Sequence, residues 1–320
     1  MRGLLLTACI LAGSCAPSPR DVLLGSVQAH QAPPLGTPTR VQSWSFLGEP
    51  GRRIETPRWD IRTTIDEPLL HIRLPEVLEA GLDGMCELFV VDGQELPPPR
   101  EPMITCLLGD RRQWSNMATL LLPQHAEAMQ SLGRGGFTSQ GVAVLYDIDR
   151  RSHCRNTMAL ALHEGWHQYV QTALHGPLPA WMDEGLATVM EGFVLYSDGA
   201  EIDHAANRQR ERRYWWMKRR DRQQPLSVFL NSDPHVALAD GSRSLLDYYA
   251  QAWAFTRFML ADERRRNAIA SGLHRAAIPG STPESVQQAV EVSLGQTLAS
   301  QQAEFDAWTQ ENLQPNWWSR

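Results

Sequence analysis

The chain has 320 residues, 42% of them hydrophobic and 21% charged, with Lys+Arg 30 against Asp+Glu 36 and a formal net charge of −6. That length is ample for a sizeable core in one or two lobes. The acidic balance gives no argument for nucleic acid, there is no internal repeat, and after the N-terminus no apolar run is long enough to cross a membrane.

Met1-Arg2 is a short basic start, and Gly3 to Ala12 is an apolar run. About ten such residues are too few for a bilayer but suit the core of a signal peptide. The run ends Leu11-Ala12-Gly13-Ser14-Cys15, which resembles a bacterial lipobox with Cys15 as the lipidated first residue. Leu6-Thr7-Ala8-Cys9 also fits that pattern but leaves almost no apolar core before it, and an ordinary secretory signal cut near Ala16 is the alternative. Either reading exports the chain to the cell envelope. The lipobox adds a lipid bilayer as partner through an N-terminal acyl anchor, and Ala16 rather than Asp after the Cys resembles the outer-membrane signal of Gram-negative cells. Residues 16–40, with Pro17, Pro19, Pro33, Pro34 and Pro38, read as a flexible tether.

Residues 41–313 are expected to be the folded domain, a sheet-containing lobe over 41–150 and a helical lobe over 151–313. The fold class is therefore α+β, a small mixed sheet followed by a mainly helical lobe. Trp59 to Thr64 alternates like a strand, and Pro75 to Val90 reads as a helix opened by proline. Met103 to Leu108 is a short buried strand, Arg111 to Leu132 is largely helical, and Gly141 to Ile148 is a strand delivering the chain to the next helix. Besides Cys15, the exported chain keeps Cys86, Cys106 and Cys154. An odd number argues against a disulfide framework; Cys86–Cys106 is the first pair to try, with buried free thiols as the alternative. His153-Cys154 has no further ligand spacing around it to make a second metal site.

Asn156 to Gly176 reads as one helix, with Asn156 as N-cap and Gly176-Pro177 as the stop. Inside it runs His163-Glu164-Gly165-Trp166-His167. A spacing of four puts both imidazoles on one face, one turn apart, within reach of a single metal ion. Glu164 is placed beside the first ligand to take a proton from a water activated by the metal. A second helix from Pro179 would return antiparallel and bring Glu184 to the His pair, so that two His and a carboxylate leave a fourth position open, as a catalytic zinc needs. The bland alternatives are two half-buried polar His and a solvated acid at a helix start.

The segments H-E-G-W-H and L-P-A-W-M-D-E-G-L-A resemble the gluzincin zinc peptidases and, more closely, the peptidase MA-like family of bacterial proteins. Asp247 to Trp253 resembles that family's later helix, and Gly133 to Ile148 its strand ahead of the active helix, within an overall likeness over Trp59 to Leu313. The resemblance implies a zincin-like fold, Zn²⁺ held by His163, His167 and Glu184, Glu164 as general base, and a peptide or protein substrate. It also implies a phenol that hydrogen-bonds the oxyanion, for which Tyr249 is the candidate and Tyr248 and His235 are weaker ones. An edge strand would pair with the extended substrate, and either Gly136 to Thr138 or Val142 to Tyr146 could form it. One departure stands out: where thermolysin-like members carry an Asp to support a ligand His, four residues after the ligand Glu, this chain has Thr188.

Beyond Glu191 the chain looks helical. Ala206 to Arg222 is rich in Arg and contains Tyr214-Trp215-Trp216; the reading preferred over a nucleic-acid or membrane surface is a connecting helix with a solvated cationic face and inward aromatics. Ala250 to Leu260 should bury Trp253, Phe255 and Phe258, Thr282-Pro283-Glu284 should open another helix, and Thr297 to Leu313 should pack across the catalytic lobe through Phe305 and Trp308. The expected function is peptide-bond hydrolysis by an exported zinc peptidase. Its rivals are a non-catalytic peptide- or cell-wall-binding lipoprotein with a structural zinc, and a metal-free relative.

Overall fold

A computed structural model describes residues 31–32, 40–123, 135–148, 154–196, 199–234, 237 and 242–313. Strands β1 (Gln31–Ala32), β2 (Arg40–Phe46), β3 (Glu49–Glu55) and β4 (Trp59–Thr63) follow one another antiparallel. Leu47 (φ 53) and Gly48 (φ 81) turn β2 into β3, the left-handed pair that a two-residue hairpin requires. Helix α1 (Pro68–Leu88) crosses over to β5 (Met103–Leu108), parallel to β4. Helix α2 (Arg111–Leu121) precedes the hairpin of β6 (Gly136–Ser139) and β7 (Val142–Tyr146). The sheet has the order β1-β2-β3-β4-β5-β7-β6, so β7 lies inside it and β6 is an edge.

Every residue of β5 is buried, as in a strand covered on both faces. Its alternate side chains enter two cores: Met103 and Leu107 join the helical lobe, while Ile104, Cys106 and Leu108 pack with Trp114 and Phe137 under α2. The helical lobe comprises α3 (Arg155–Ala173), α4 (Ala180–Met190), a small hairpin of β8 (Phe193–Leu195) and β9 (Ala200–Ile202), then α5 (Arg208–Arg219), α6 (Leu226–Phe229), α7 (Ser242–Leu260), α8 (Glu263–Ala276), α9 (Pro283–Leu294) and α10 (Gln302–Asn312). The protein is thus α+β in the expected arrangement of a mixed sheet followed by a mostly helical region.

Helix α3 lies against the sheet and is fastened to it. The buried Gln168 amide donates to the carbonyls of Ile104 (2.7 Å) and Gly141 (3.0 Å) and accepts from Thr105 Oγ1 (2.9 Å). A polar group this deep costs free energy unless all its bonds are made, and here they are. Phe305 of α10 is buried against Phe255 and Phe258 of α7, and Trp308 packs on Phe258. Thr282 caps α9 in a reciprocal pair with Ser285.

Several boundaries differ from expectation. Helix α1 opens at Pro68, capped by Glu67, and Pro75 falls inside it. An interior proline forfeits one helical bond, and burial of Leu70, Leu74, Val77 and Leu78 offsets that loss. Helix α3 is entered through Cys154 in the left-handed region (φ 60), not through an Asn156 cap. The β2–β3 hairpin and the β8–β9 hairpin were not expected at all. Gln31–Ala32, inside the stretch read as tether, pair with β2. Cys86, Cys106 and Cys154 are free thiols. A Cys86–Cys106 bridge is not formed, because Cys86 packs against the helical core whereas Cys106 faces α2 across the sheet. Cys15 and its signal segment, residues 124–134, His153 and His235 lie outside the described residues.

Candidate metal centre

The convergence of two helices builds the site. Helix α3 carries His163 and His167 one turn apart, with ring centroids 5.0 Å from each other. The chain turns at Gly176, whose N–H bonds the Ala276 carbonyl, and α4 starts at Ala180 behind Pro179. Glu184 then faces the two rings. His163 Nε2 and His167 Nε2 are 3.3 Å apart, and Glu184 Oε2 stands 3.4 and 3.5 Å from them. Gly185 makes room for α7: a Cβ there would lie 2.0 Å from Thr256 Oγ1 and 3.2 Å from the Ala252 carbonyl. That close approach of α4 and α7 seats the Tyr249 ring against His163, edge to face at 5.8 Å.

The outward nitrogens are already committed. His163 Nδ1 is 2.9 Å from Glu191 Oε1, and His167 Nδ1 is 3.1 Å from Asp183 Oδ1. A carboxylate can only accept, so each ring donates from Nδ1 and its neutral form presents a lone pair at Nε2. Two lone pairs and a carboxylate oxygen therefore point at one spot. Glu184 Oε2 is buried without a hydrogen-bond partner. With both rings neutral the spot holds three acceptors, a place for a cation, and His163, His167 and Glu184 could hold a metal ion.

Protons compete for the same place. Burial opposes the charged imidazole, but the Glu184 and Glu191 carboxylates outweigh it and raise His163 to about 9. His167 is raised well above its ordinary value against the same burial, chiefly by Asp183 and Glu184. Burial alone would push Glu184 up, yet the two imidazoles hold it far below the usual carboxylate range. Glu191 is likewise depressed to about 2, with burial overcome first by Arg210.

Glu164 is near the cluster but outside it. Its Oε2 accepts from Thr138 Oγ1 of the edge strand β6 at 2.7 Å. Burial lifts its pKa above the ordinary range despite the pull of the two histidines. Tyr249 stays a phenol, since burial and then Glu184 raise its pKa well above normal. Tyr248 is buried against Phe229 with its hydroxyl unpartnered. Strand β6, not β7, is the edge beside Glu164.

The sequence left open which residues stand behind the two histidines. Thr188 turns away, its hydroxyl bonding the Gly185 carbonyl at 2.8 Å. Asp183, next to Glu184, and Glu191, seven residues after Glu184, stand beside the two histidines. Seven residues is two helical turns, so the spacing was there to be seen. Glu191 is fixed in turn by Arg210 (Nη2 to Oε1 2.6 Å, Nε to Oε2 3.0 Å) and by Asn207 Nδ2 (2.7 Å). Arg210 was read as part of a solvated cationic face; it points inward, with its guanidinium 5.1 Å from the Tyr249 ring centre. Nothing local marks it apart from the neighbouring arginines, of which Arg219 and Arg220 lie over the half-buried Trp215 and Trp216. Comparisons with protein-family models, curated proteins and solved structures give no match to this chain.

Proposed function

We propose that the chain is a zinc-dependent peptidase, exported and tethered to a membrane through Cys15. The observation that carries this reading is the spacing of the three donor atoms. In a tetrahedral shell with donors about 2.05 Å from zinc, any two donors lie about 3.3 Å apart, while cis donors in an octahedral shell at about 2.1 Å lie about 3.0 Å apart. The separations of 3.3, 3.4 and 3.5 Å lie nearer the tetrahedral value. Two imidazoles and one carboxylate are a donor set that suits zinc and leaves its fourth position free.

When bound, zinc would supply Lewis acidity, polarising a scissile carbonyl and acidifying a water. His163, His167 and Glu184 would hold it, and Glu191 and Asp183 would keep the two rings from turning. Glu164, left out of the ligand set, would accept the water's proton at its carboxylate and pass it to the leaving amine. The Tyr249 phenol, kept protonated, would donate to the oxygen on which negative charge develops. The outer edge of β6, beside Glu164, would offer backbone groups to an extended peptide.

Quenched fluorescent peptides, assayed with and without chelator, test this directly. We expect turnover that chelation removes and zinc restores, and a Glu164→Gln variant that keeps the ion but not the turnover. Full activity in that variant would overturn the assignment, and peptide binding without cleavage would make the protein a binding lipoprotein. Labelling with a radioactive fatty acid, present in the parent chain and absent in Cys15→Ser, tests the anchor.

A further inference from the structure

Two residues of the sheet edge bracket the Glu164 carboxylate. On β6, Gly136 and Thr138 are two apart and so share the face toward α3, whereas Phe137 packs into the opposite core against Trp114. Thr138, itself buried, places Oγ1 2.7 Å from Glu164 Oε2 and 3.2 Å from the Glu164 backbone carbonyl. At Gly136 the strand passes so near that a Cβ would stand 3.0 Å from both Glu164 Cγ and Oε1. One carboxylate oxygen is therefore occupied by a hydroxyl, and the other is kept clear by the absence of a side chain.

We infer that Thr138 and Gly136 are positioning residues for Glu164, selecting the rotamer in which Oε2 is tied to the sheet edge and Oε1 is left to meet the reacting water. The inference rests on the reading of Glu164 as the proton acceptor. Glutamate has three side-chain torsions, and an untethered carboxylate beside the cation site would swing in as a fourth ligand. A hydroxyl is suited to prevent this, because Oγ1 reaches two acceptors of the same residue. It donates to Oε2 while the carboxylate is bare, and once Oε1 has taken the proton it can go on donating to Oε2, then the carbonyl oxygen of the acid, or turn to the backbone carbonyl. Glu164 is thus held in one place through both halves of a proton transfer. The edge strand that would receive a substrate backbone also sets the direction of the base, so substrate register and base geometry share one element.

The test uses the full chain loaded with zinc, and acetohydroxamate as a probe that binds the ion and needs a proton acceptor beside it. Thr138→Val, nearly isosteric, should weaken acetohydroxamate binding by about 10- to 100-fold, the range for losing a hydrogen bond to a charged group. For any peptide cleaved, kcat should fall with KM little changed, and the acid limb of the pH profile should move. Thr138→Ser should restore the parent values, and zinc affinity should stay put in both variants. Gly136→Ala, which crowds Oε1 without touching Thr138, should reproduce the loss and serves if Thr138→Val misfolds. Parent-like probe binding in Thr138→Val and Gly136→Ala, alongside a loss in Glu164→Gln, would overturn the inference and leave the peptidase reading intact. Parent-like binding in Glu164→Gln would overturn both.

Discussion

On β4, Asp60 lies between Arg53, which reaches its two oxygens at 2.9 and 3.0 Å, and the fully buried Arg62 at 2.8 Å. On the other face of the same sheet, His163, His167 and Glu184 meet with only a proton or a cation to go between them, and Glu164 stands beside them. Both groups are buried and rich in charge, but they are assembled on opposite principles. Around Asp60 each acceptor faces a guanidinium, and the cluster is closed. Around Glu184 acceptors face acceptors once the rings are neutral, and the Arg210 guanidinium is spent on Glu191. Burial of charge by itself therefore says little about function. What separates a structural ion pair from a site is whether the hydrogen-bond inventory balances without a ligand.

Replacing a ligand should have the largest effect: His163→Ala is expected to abolish stoichiometric zinc, read by metal analysis of the purified chain, while circular dichroism stays unchanged. Retained zinc would mean that the ion sits elsewhere. The mirror experiment on the closed cluster is Asp60→Asn. Breaking the buried pair that Asp60 makes with Arg62 should cost about 3–5 kcal/mol in denaturant unfolding and leave zinc affinity alone. Asp60 also sets an acid limit. Burial pushes its pKa up, but Arg62 and Arg53 prevail and lower it. Its contribution is then complete above the unfolded value, about pH 3.9, and is lost as pH falls through the lower folded value, so the parent should lose more stability on acidification than Asp60→Asn.

Smaller effects should come from the groups behind the ligands. Asp183→Asn and Glu191→Gln are each expected to weaken zinc about 10- to 100-fold, in competition with a fluorescent chelator. Because His163 is raised to about 9 in the metal-free chain, zinc must displace protons at neutrality. Apparent affinity should climb as pH rises from 7; a flat profile would mean that the imidazoles are not the ligands. Last, Cys106, pushed by burial to about 12, should resist alkylation until the chain unfolds.

The helical ligand pair was legible because a spacing of four on a helix is a statement about one face, and it needs no tertiary information. The same holds for the buried strand at Met103–Leu108 and for the capped start of α9, whereas Glu184 was expected at the site only on the assumption that its helix returns antiparallel. The β2–β3 hairpin escaped because Pro50 and Gly51 sit inside β3 and its turn is Leu47-Gly48, without the Asn-Gly or Asp-Gly signal. The β8–β9 hairpin escaped because three-residue strands are too short to show a period.

Residue order alone was enough to put His163 and His167 on one face, since helical geometry is local and repeats every turn; that Glu184 joins them required the second helix to return. Residue order could not decide what supports them. Asp183, Glu191 and Arg210 come from α4, its C-terminal end and α5, and Thr138 from a strand that approaches from the other side. Arg210 resembles every other arginine of its helix until packing turns it inward, and Thr138 is one more strand threonine until the sheet ends beside Glu164. Those assignments depend on which surfaces meet, and only the assembled tertiary structure brings them together.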